Sequence, residues 1–269
     1  MRRGIAPVTG CVIERVRFPR RGQLQPLPVS PSRAEFARRV QGVVVQAVER
    51  AGKRVVLRLP DDERVVFEPR MTGLVVLDEA APTEKHVRAV FEFAEGRRVT
   101  IWDRRGLGTL RLYTAAEFQE ALGPHALGPD ALELGPDELQ ERLGASRRAI
   151  KPALLDQRAV AGIGNIYAAE ALHVSKVDPR RACSELSRRE WRALTRAVIA
   201  ILAEAVEYEG STLGDGTYRT ALNVEGGYQN HHKVYAREGE ACPRKRCQGR
   251  VERIVLGQRA TFFCSSCQG

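Results

Sequence analysis

Four of the six cysteines lie within the last 28 residues of the 269-residue chain, in two close pairs. Four residues separate Cys242 from Cys247, and two separate Cys264 from Cys267. Two such pairs can present four thiolates at the corners of a tetrahedron around one Zn²⁺. The alternatives are two disulfides or four unrelated buried thiols, but nothing in the sequence indicates the oxidising compartment in which disulfides persist. We therefore predict one structural zinc ion.

The segment between the cysteine pairs predicts a β-hairpin with a basic tip. Residues 250–256 and 260–263 read as two strands, and Gly257-Gln258-Arg259 reads as the turn between them. A guanidinium on a rigid hairpin offers a planar fork of donors that suits a phosphate. Arg259 is therefore a candidate phosphate-binding residue, and the alternative is a solvated turn residue.

A glycine-rich turn forms the second candidate site. Gly162 and Gly164 permit a backbone path that other residues resist, and Asn165 is expected to cap the helix that follows. The amides of Gly164 and Asn165 would then form an anion-binding concavity at a helix N-terminus, with Lys151 nearby. The turn lacks the ending of a nucleotide-binding P-loop and follows a helix, which favours a DNA phosphate clamp. Because glycine-rich turns are common, an ordinary turn is the alternative.

The elements that must position these residues begin with a strand-rich segment. Eight short, valine-rich runs are separated by turn or charged residues at spacings of about eight to twelve residues, which predicts a β-sandwich or barrel. The runs cover residues 11–18, 42–48, 54–60, 64–68, 73–77, 87–93, 98–102 and 108–113. One helix is predicted at residues 33–40.

Glycine-proline pairs at 123–124, 128–129 and 135–136 then mark a domain boundary. Beyond them, apolar residues recur at helical spacing from Trp191 to Ala205, after a capping box formed by Ser187 and Glu190. Shorter helices are predicted at residues 136–143, 148–156 and 166–172. The predicted fold class is therefore α+β and multidomain, with a β-rich domain, a helical domain and a small cysteine-bearing module.

The amino-acid composition limits the classes of partner and of protein that fit this chain. The 43 Lys and Arg exceed the 33 Asp and Glu, and the net charge of +10 indicates a polyanionic partner. An apolar content of 43% excludes a wholly disordered chain, no membrane span is predicted, and no secretory signal is visible. Cys11 and Cys183 have no partner at ligand spacing and are expected to be buried as small hydrophobes.

Two runs, KPALLDQRAVAGIGNIYAAEAL at 151–172 and GQRATFFCSSCQ at 257–268, resemble the formamidopyrimidine-DNA glycosylase and endonuclease VIII family of bacterial base-excision repair enzymes. Gly-Gly-Tyr-Gln at 226–229 favours the formamidopyrimidine branch. The resemblance implies an N-terminal β-sandwich, a helix-two-turn-helix domain and a C-terminal β-hairpin zinc finger. We place these at 1–118, 136–232 and 233–269, with a linker at 119–135.

The resemblance also assigns residues. Lys53 matches a lysine that contacts DNA and assists β-elimination, and Met71 matches a methionine inserted where the flipped base leaves a gap. His86 matches a DNA-contacting histidine, and Arg259 is the candidate for assisting δ-elimination. Lys151, Asn165 and Arg259 match phosphate-binding residues. A core methionine and a satisfied strand histidine are the alternatives for Met71 and His86.

In the loop Asp103-Arg104-Arg105-Gly106-Leu107-Gly108, Arg105 matches the arginine that faces the orphaned base. Leu107 replaces the usual phenylalanine wedge, and Gly106 replaces a second arginine that contacts DNA. Arg104 is either a DNA contact or a solvated neighbour.

The chemistry that the resemblance implies is base flipping followed by attack of an amine on the sugar C1′. In the family that amine belongs to an N-terminal proline, next to a glutamate that does the acid/base work. This sequence begins Met1-Arg2-Arg3-Gly4-Ile5, so about eight residues before the family's Arg-Arg-Gly-Ile are expected to be missing. Either translation was assigned to start at an internal methionine, which we favour, or the protein is a non-catalytic paralogue.

The predicted function is base-excision repair: removal of 8-oxoguanine and formamidopyrimidines by N-glycosylase and AP lyase chemistry. The expected partner is double-stranded DNA with oxidised or abasic lesions, bound by a monomer in the bacterial cytoplasm at the nucleoid. A damaged-DNA-binding module without catalysis is the main alternative. A zinc-bearing RNA or ribosomal protein fits the charge but not the predicted wedge residues.

Overall fold

Two larger β-sheets, a helical array and a two-stranded hairpin form the fold in a computed structural model, which describes residues 1–19, 26–78, 81 and 83–269. The chain divides into two units. The first consists of Met1–Gly123 with Glu209–Gly227, and the second of Pro124–Tyr208 with Tyr228–Gly269. The segment Glu209–Gly227, which we had assigned to the helical domain, therefore packs with the N-terminal unit. There, Ala221 accepts a backbone hydrogen bond from Leu77 at 2.8 Å.

In the part of it that the structure describes, the first unit contains nine strands in two sheets. They are β1 (Ile13–Arg17), β2 (Val29–Ser30), β3 (Ala47–Ala51), β4 (Arg54–Arg58), β5 (Arg64–Glu68), β6 (Gly73–Leu77), β7 (Val87–Phe93), β8 (Arg98–Asp103) and β9 (Thr109–Tyr113). A four-stranded sheet has the order β1-β7-β8-β6, and a five-stranded sheet has the order β2-β9-β5-β4-β3. Apolar side chains from both sheets, such as Phe91 and Phe67, share one buried core. This arrangement confirms the predicted β-sandwich.

The described residues of the same unit also form three helices: α1 (Arg2–Ile5), α2 (Arg33–Val40) and α3 (Ala115–Leu122). Short 3-10 turns occupy Ala6–Val8, Pro60–Asp62 and Glu84–His86. The helix predicted at 33–40 is confirmed, with Ser32 as its N-cap. Helix α3 was not predicted, although Thr114 and Glu117 form a capping box at its start. It extends into the predicted linker, residues 119–135.

One predicted strand was misplaced. We expected a strand at 42–48, but β3 runs over Ala47–Ala51. Gly42 has a positive φ of 77°, and the residues after it bond to the chain near β1: Val45 donates to Cys11 at 2.9 Å and Val43 accepts from Ile13 at 2.9 Å. These local bonds use the backbone groups that a longer β3 would need.

The second unit contains the helices α4 (Glu138–Leu143), α5 (Ile150–Leu154), α6 (Asn165–Ser175) and α7 (Arg188–Glu207), with 3-10 turns at Cys183–Glu185 and Tyr228–His231. The hairpin strands β10 (Glu252–Leu256) and β11 (Arg259–Phe263) and the short helix α8 (Ser265–Gln268) follow. The predicted capping box of Ser187 and Glu190 opens α7 as expected. Helices α4 and α5 are shorter than predicted, and α6 is longer. Within the described ranges, no helix is long and apolar enough to cross a membrane.

Candidate functional site

The register of the five-stranded sheet brings three predicted residues to one of its edges. Arg54 at the start of β4 forms a 3.0 Å ion pair with Glu68 at the end of β5. Glu68 in turn lies opposite Thr109 at the start of β9. The β3–β4 turn, the segment after β5 and the segment before β9 therefore meet at this edge. The predicted residues in these segments are Lys53, Met71 and Leu107.

Met71 projects from a tight turn between β5 and β6. The turn is closed by a 2.9 Å hydrogen bond from the Gly73 amide to the Pro69 carbonyl. A Cβ at position 73 would lie 2.5 Å from that carbonyl oxygen, so only glycine fits. Met71 is 63% exposed, which excludes the alternative of a core methionine.

The next loop is organised by a buried carboxylate that sequence reasoning gave no role. Asp103 is fully buried and accepts hydrogen bonds from the Thr72 hydroxyl, from the amide of Arg105 at 3.2 Å and from the amide of Gly108 at 2.8 Å. The Thr72 oxygen also accepts from the Arg105 amide at 3.1 Å. An acidic residue at the end of a valine-rich strand was the available signal for this anchor.

The anchored loop presents its side chains outward. Leu107 is 42% exposed, and Arg105 is exposed with its Nη1 3.2 Å from Met71 Sδ. Two apolar side chains and a guanidinium thus form one exposed group, which we call the wedge patch (Met71, Arg105 and Leu107). Exposed apolar side chains of this size can enter a base step and partly unstack it.

His86 lies in the 3-10 turn before β7, and its ring packs edge-on against Trp102, with centroids 5.3 Å apart. Burial, assisted by the nearby Arg88 and Lys85 charges, lowers the pKa of His86. The imidazole is therefore neutral near pH 7 and carries no charge toward a phosphate. Its predicted DNA contact stays a prediction, and so does that of Lys53, which is exposed at the tip of the β3–β4 hairpin.

In the second unit, two of the predicted phosphate-binding residues, Lys151 and Asn165, meet at a junction with strand β11. Lys151 is fully buried on α5, and its Nζ donates to Asn165 Oδ1 at 2.7 Å, to the Ala260 carbonyl at 3.0 Å and to Thr261 Oγ1 at 2.7 Å. Asn165 Nδ2 also donates to the Ala260 carbonyl at 3.0 Å. The lysine therefore joins α5, the start of α6 and strand β11. Burial, with a smaller effect of the Arg259 charge, lowers the pKa of Lys151 to about 8.

The expected cap of α6 was assigned one residue too late. Gly164 is the N-cap, with extended backbone, and Asn165 is the first helical residue. The Asn165 side chain is held by Lys151 and Ala260, so it is not available to cap the helix. Gln157, which had no predicted role, holds the turn by accepting from the Gly162 amide at 3.0 Å and donating to the Ile163 carbonyl at 3.1 Å. Gly162 has a φ of 103°, which favours glycine.

Arg259 is the first residue of β11 and not part of the turn itself. The turn has two residues, Gly257 and Gln258, both with positive φ (54° and 62°), as in a type I′ hairpin. This turn matches the twist of the two strands, so the hairpin closes tightly. Arg259 is exposed beside the tip, opposite Leu256.

The four predicted ligand cysteines converge. Their sulfur atoms all lie within 4.8 Å of one another, with Cys242 Sγ 3.8 Å from Cys267 Sγ and Cys247 Sγ 3.7 Å from Cys264 Sγ. None of these cysteines is in a disulfide, which excludes the predicted alternative of two bridges. The cluster could hold one metal ion. The other two cysteines, Cys11 and Cys183, are buried as expected.

A second buried carboxylate supports the chain that leads to this cluster. Glu170 on α6 is fully buried and accepts three backbone hydrogen bonds, from Lys233 at 2.8 Å, Val234 at 3.1 Å and Tyr235 at 2.8 Å. Sequence reasoning gave this residue no role. A lone acidic residue within an apolar helical run was the signal.

Comparison with known proteins gives consistent matches. Residues 1–110 match the formamidopyrimidine-DNA glycosylase N-terminal domain, and residues 122–216 match the H2TH domain of that glycosylase. The formamidopyrimidine-DNA glycosylase of Chloroflexus aurantiacus is 36% identical over 244 residues, which cover 90% of this chain and 86% of the relative. The Fpg structure from Thermus thermophilus superposes with a TM-score of 0.85 at 36% identity, covering 100% and 96% of the two chains. Lactococcus lactis Fpg in complex with abasic-site DNA gives a TM-score of 0.87 at 29% identity, covering 99% and 96%. Another complex of the Lactococcus protein contains N7-benzyl-Fapy-dG DNA.

Proposed function

Because this chain belongs to the formamidopyrimidine-DNA glycosylase family, we propose that it acts in base-excision repair and removes oxidised purines, 8-oxoguanine and formamidopyrimidines, from double-stranded DNA. The observation that carries the proposal is the wedge patch. Met71 and Leu107 are large apolar side chains left exposed on anchored loops, with the Arg105 guanidinium in contact with Met71. A surface of this kind has a clear use in filling a base stack from which a nucleotide has been flipped.

Flipping the damaged base out of the duplex leaves a gap in the base stack that the wedge patch has to fill. Flipping a nucleotide costs roughly a few kcal/mol of stacking and pairing, least for a damaged base. We assign Met71 and Leu107 to the gap and the Arg105 guanidinium to the orphaned base, because its donors suit a base edge. The buried Asp103 supports this assignment, since it fixes the backbone of the loop before DNA arrives.

Phosphate contacts are assigned to the second unit. The exposed Arg259 and the amides of Gly164 and Asn165 at the start of α6 are the groups that suit phosphate oxygens. Lys151 contributes its positive charge to phosphate binding without a direct hydrogen bond, because its three N–H groups all donate to protein acceptors. In the lyase steps we assign Lys53 to β-elimination and Arg259 to δ-elimination, as the family resemblance implies.

We assign the metal ion at the cysteine cluster to zinc. Four thiolates at about 2.3 Å from a tetrahedral Zn²⁺ lie about 3.8 Å apart, which agrees with the measured separations of 3.7 and 3.8 Å. The ion would be structural, because all four positions are filled by cysteine. Its role is to hold the hairpin that carries Arg259.

The bond-breaking chemistry follows from the family resemblance. An amine attacks C1′ and displaces the base, and cleavage of the C1′–O4′ bond with a proton delivered to O4′ opens the sugar ring and gives an imine in its protonated (iminium) form. The imine is an electron sink for elimination of first the 3′ and then the 5′ phosphate. The resemblance gives this amine to an N-terminal proline.

Borohydride trapping on a duplex with one 8-oxoguanine tests the proposal. The assay uses the full-length gene product, and the control duplex carries guanine in place of 8-oxoguanine. We expect a covalent protein–DNA adduct and base release on the damaged duplex and neither on the control. Met71→Ala should lower the rate of base removal. Lesion binding without trapping would favour the second candidate, a non-catalytic damaged-DNA-binding protein.

We further propose that a monomer binds one lesion-containing duplex, in the bacterial cytoplasm and at the nucleoid. The net charge of +10 supports a DNA partner. Sedimentation of the protein with a short lesion duplex at a 1:1 ratio checks the stoichiometry. A 2:1 complex would refute the monomer.

A further inference from the structure

The cysteine cluster has a polar neighbour that comes from a helix and not from the hairpin module. His173 lies near the end of α6, and its Nε2 is 3.4 Å from Cys242 Sγ. The residue is 2% exposed, and among the described residues no partner meets its other nitrogen, Nδ1. The cysteine sulfur is thus the one polar contact of the ring in the described part of the chain.

The chemistry of the two partners selects one tautomer. A neutral imidazole has one N–H and one lone pair. A metal-bound cysteine is a thiolate, which can only accept a hydrogen bond. With the proton on Nε2, the ring donates to Cys242 Sγ. With the proton on Nδ1, a nitrogen lone pair would face the thiolate and a buried N–H would have no acceptor, which costs about 1–3 kcal/mol.

We infer that His173 is a positioning residue for the metal, which orients Cys242 and stabilises its thiolate through an Nε2–H···Sγ hydrogen bond. This inference rests on the proposed zinc ion. Four thiolates around Zn²⁺ leave about two net negative charges, which donors outside the ligand set stabilise. The arrangement makes the end of α6 part of the metal site.

A second contact fixes the same region. The Arg244 guanidinium, from the loop between the first two cysteines, donates to the carbonyls of His173 and Val174. These are among the last carbonyls of α6, which have no helical partner four residues on; that of His173 also accepts from the Lys176 amide at 3.2 Å. Arg244 thereby holds the backbone of His173 against the loop whose sulfur the ring contacts. Both the ring and the carbonyl of His173 therefore contact the segment that carries the first two cysteines.

Cadmium NMR tests the hydrogen bond in the unmodified sequence. The protein is loaded with ¹¹³Cd and labelled with ¹⁵N at histidine. We expect the Nε2–H tautomer at His173, with a scalar coupling between ¹¹³Cd and Hε2 transmitted through Cys242 Sγ. An Nδ1–H tautomer, or an Nε2–H without coupling in the cadmium-loaded protein, would overturn the inference. A chain that binds neither cadmium nor zinc would instead overturn the metal proposal itself, so the two failures are distinguishable.

Variants measure the effect on metal binding. His173→Phe keeps the ring volume and removes the donor, whereas His173→Gln keeps a donor; the exposed His125→Gln is the control. In chelator competition we expect His173→Phe to bind zinc about 10- to 100-fold more weakly. With Co²⁺, its thiolate-to-metal charge-transfer band should move to lower energy, because the sulfur lone pair is no longer stabilised.

We expect His173→Gln to lie closer to the parent in both measurements, and His125→Gln to equal it. Parent-like affinity and spectrum in His173→Phe would overturn the inference. Equal losses in the Phe and Gln variants would overturn it as well, because they would trace the effect to the pocket and not to the donor. If His173→Phe does not fold, the cadmium coupling in the parent decides the matter.

Discussion

Lys151→Met would remove the buried ammonium that joins α5, Asn165 and β11, and would keep an unbranched side chain of similar length. Nζ has three acceptors, at 2.7, 2.7 and 3.0 Å. At about 1.5–3 kcal/mol for each hydrogen bond to a charged group, their sum would be roughly 4–9 kcal/mol. The actual loss depends on which acceptors are left without a donor.

Two of the three acceptors keep a contact when the ammonium is removed. The Ala260 carbonyl still accepts from Asn165 Nδ2 at 3.0 Å, and the Thr261 hydroxyl still donates to the Arg259 carbonyl at 3.2 Å. Asn165 Oδ1 is the acceptor that loses its donor, at a cost of about 1–3 kcal/mol. Removing a buried charge also returns part of its desolvation cost. We therefore expect the free energy of unfolding of the second unit to fall by about 1–3 kcal/mol.

The two tryptophans make this measurable, because Trp102 is buried in the first unit and Trp191 in the second. In a Trp102→Phe background, urea unfolding followed by fluorescence reports the second unit through Trp191. Asn165→Leu and the double variant complete a double-mutant cycle with Lys151→Met. A loss above about 4 kcal/mol, or none, would refute the reasoning about orphaned acceptors.

The pH dependence gives an independent check with a definite sign. The pKa of Lys151 is lowered to about 8 in the folded chain, against an ordinary value of 10.5. Between these values the unfolded chain binds the proton and the folded chain does not, so stability rises with pH. The parent should therefore gain stability relative to Lys151→Met from pH 8 to 10.5, by at most about 1.4 kcal/mol per pH unit, and show a constant difference below pH 8. A difference that shrinks over that interval would contradict the lowered pKa.

Four further outcomes are expected. Arg259→Ala should weaken DNA binding and reduce the slope of log K against log salt by about 1, measured by fluorescence anisotropy; an unchanged slope would remove its phosphate role. A chelator that extracts zinc should abolish DNA binding because the hairpin unfolds, and full binding by metal-free protein would contradict this. Asp103→Asn places an amide donor against a backbone N–H and should destabilise the first unit by about 2–3 kcal/mol, seen at Trp102 in a Trp191→Phe background. Glu170→Gln should cost the second unit a similar amount, seen at Trp191, and a wild-type midpoint in either variant would refute its anchoring role.

The sequence predicted the elements whose signals are local. The strands at 64–68, 73–77 and 87–93 have the predicted bounds, because short valine-containing runs bounded by turn or charged residues define them. The cysteine spacing predicted a cluster that the fold brings together. Helix α7 followed from its apolar period and capping box.

Features set by side-chain contacts to loop amides escaped prediction. Glu170 binds amides of a distant segment, whereas Asp103 and Gln157 bind amides of their own loops, and no periodic pattern marks either kind of partner. The Asn165 side chain was expected to cap α6, but Lys151 and a strand about 95 residues further on bind it instead. The helix α3 was missed because its signal lay beside a glycine-proline pair that we interpreted as a linker.

The return of Glu209–Gly227 to the first unit has a thermodynamic consequence for the order of unfolding. Between the two segments of that unit lie about 85 residues, Pro124–Tyr208, of the other unit. If these residues unfold, the contacts of Glu209–Gly227 must close a flexible loop of that length, and the logarithmic cost of closure is about 4 kcal/mol. A folded second unit removes this cost by fixing the distance between the loop ends. The folded helical unit therefore stabilises the β-sandwich by removing an entropic cost. Substitutions that unfold the helical unit should lower the melting temperature of β-sandwich strands that the substituted residues do not contact.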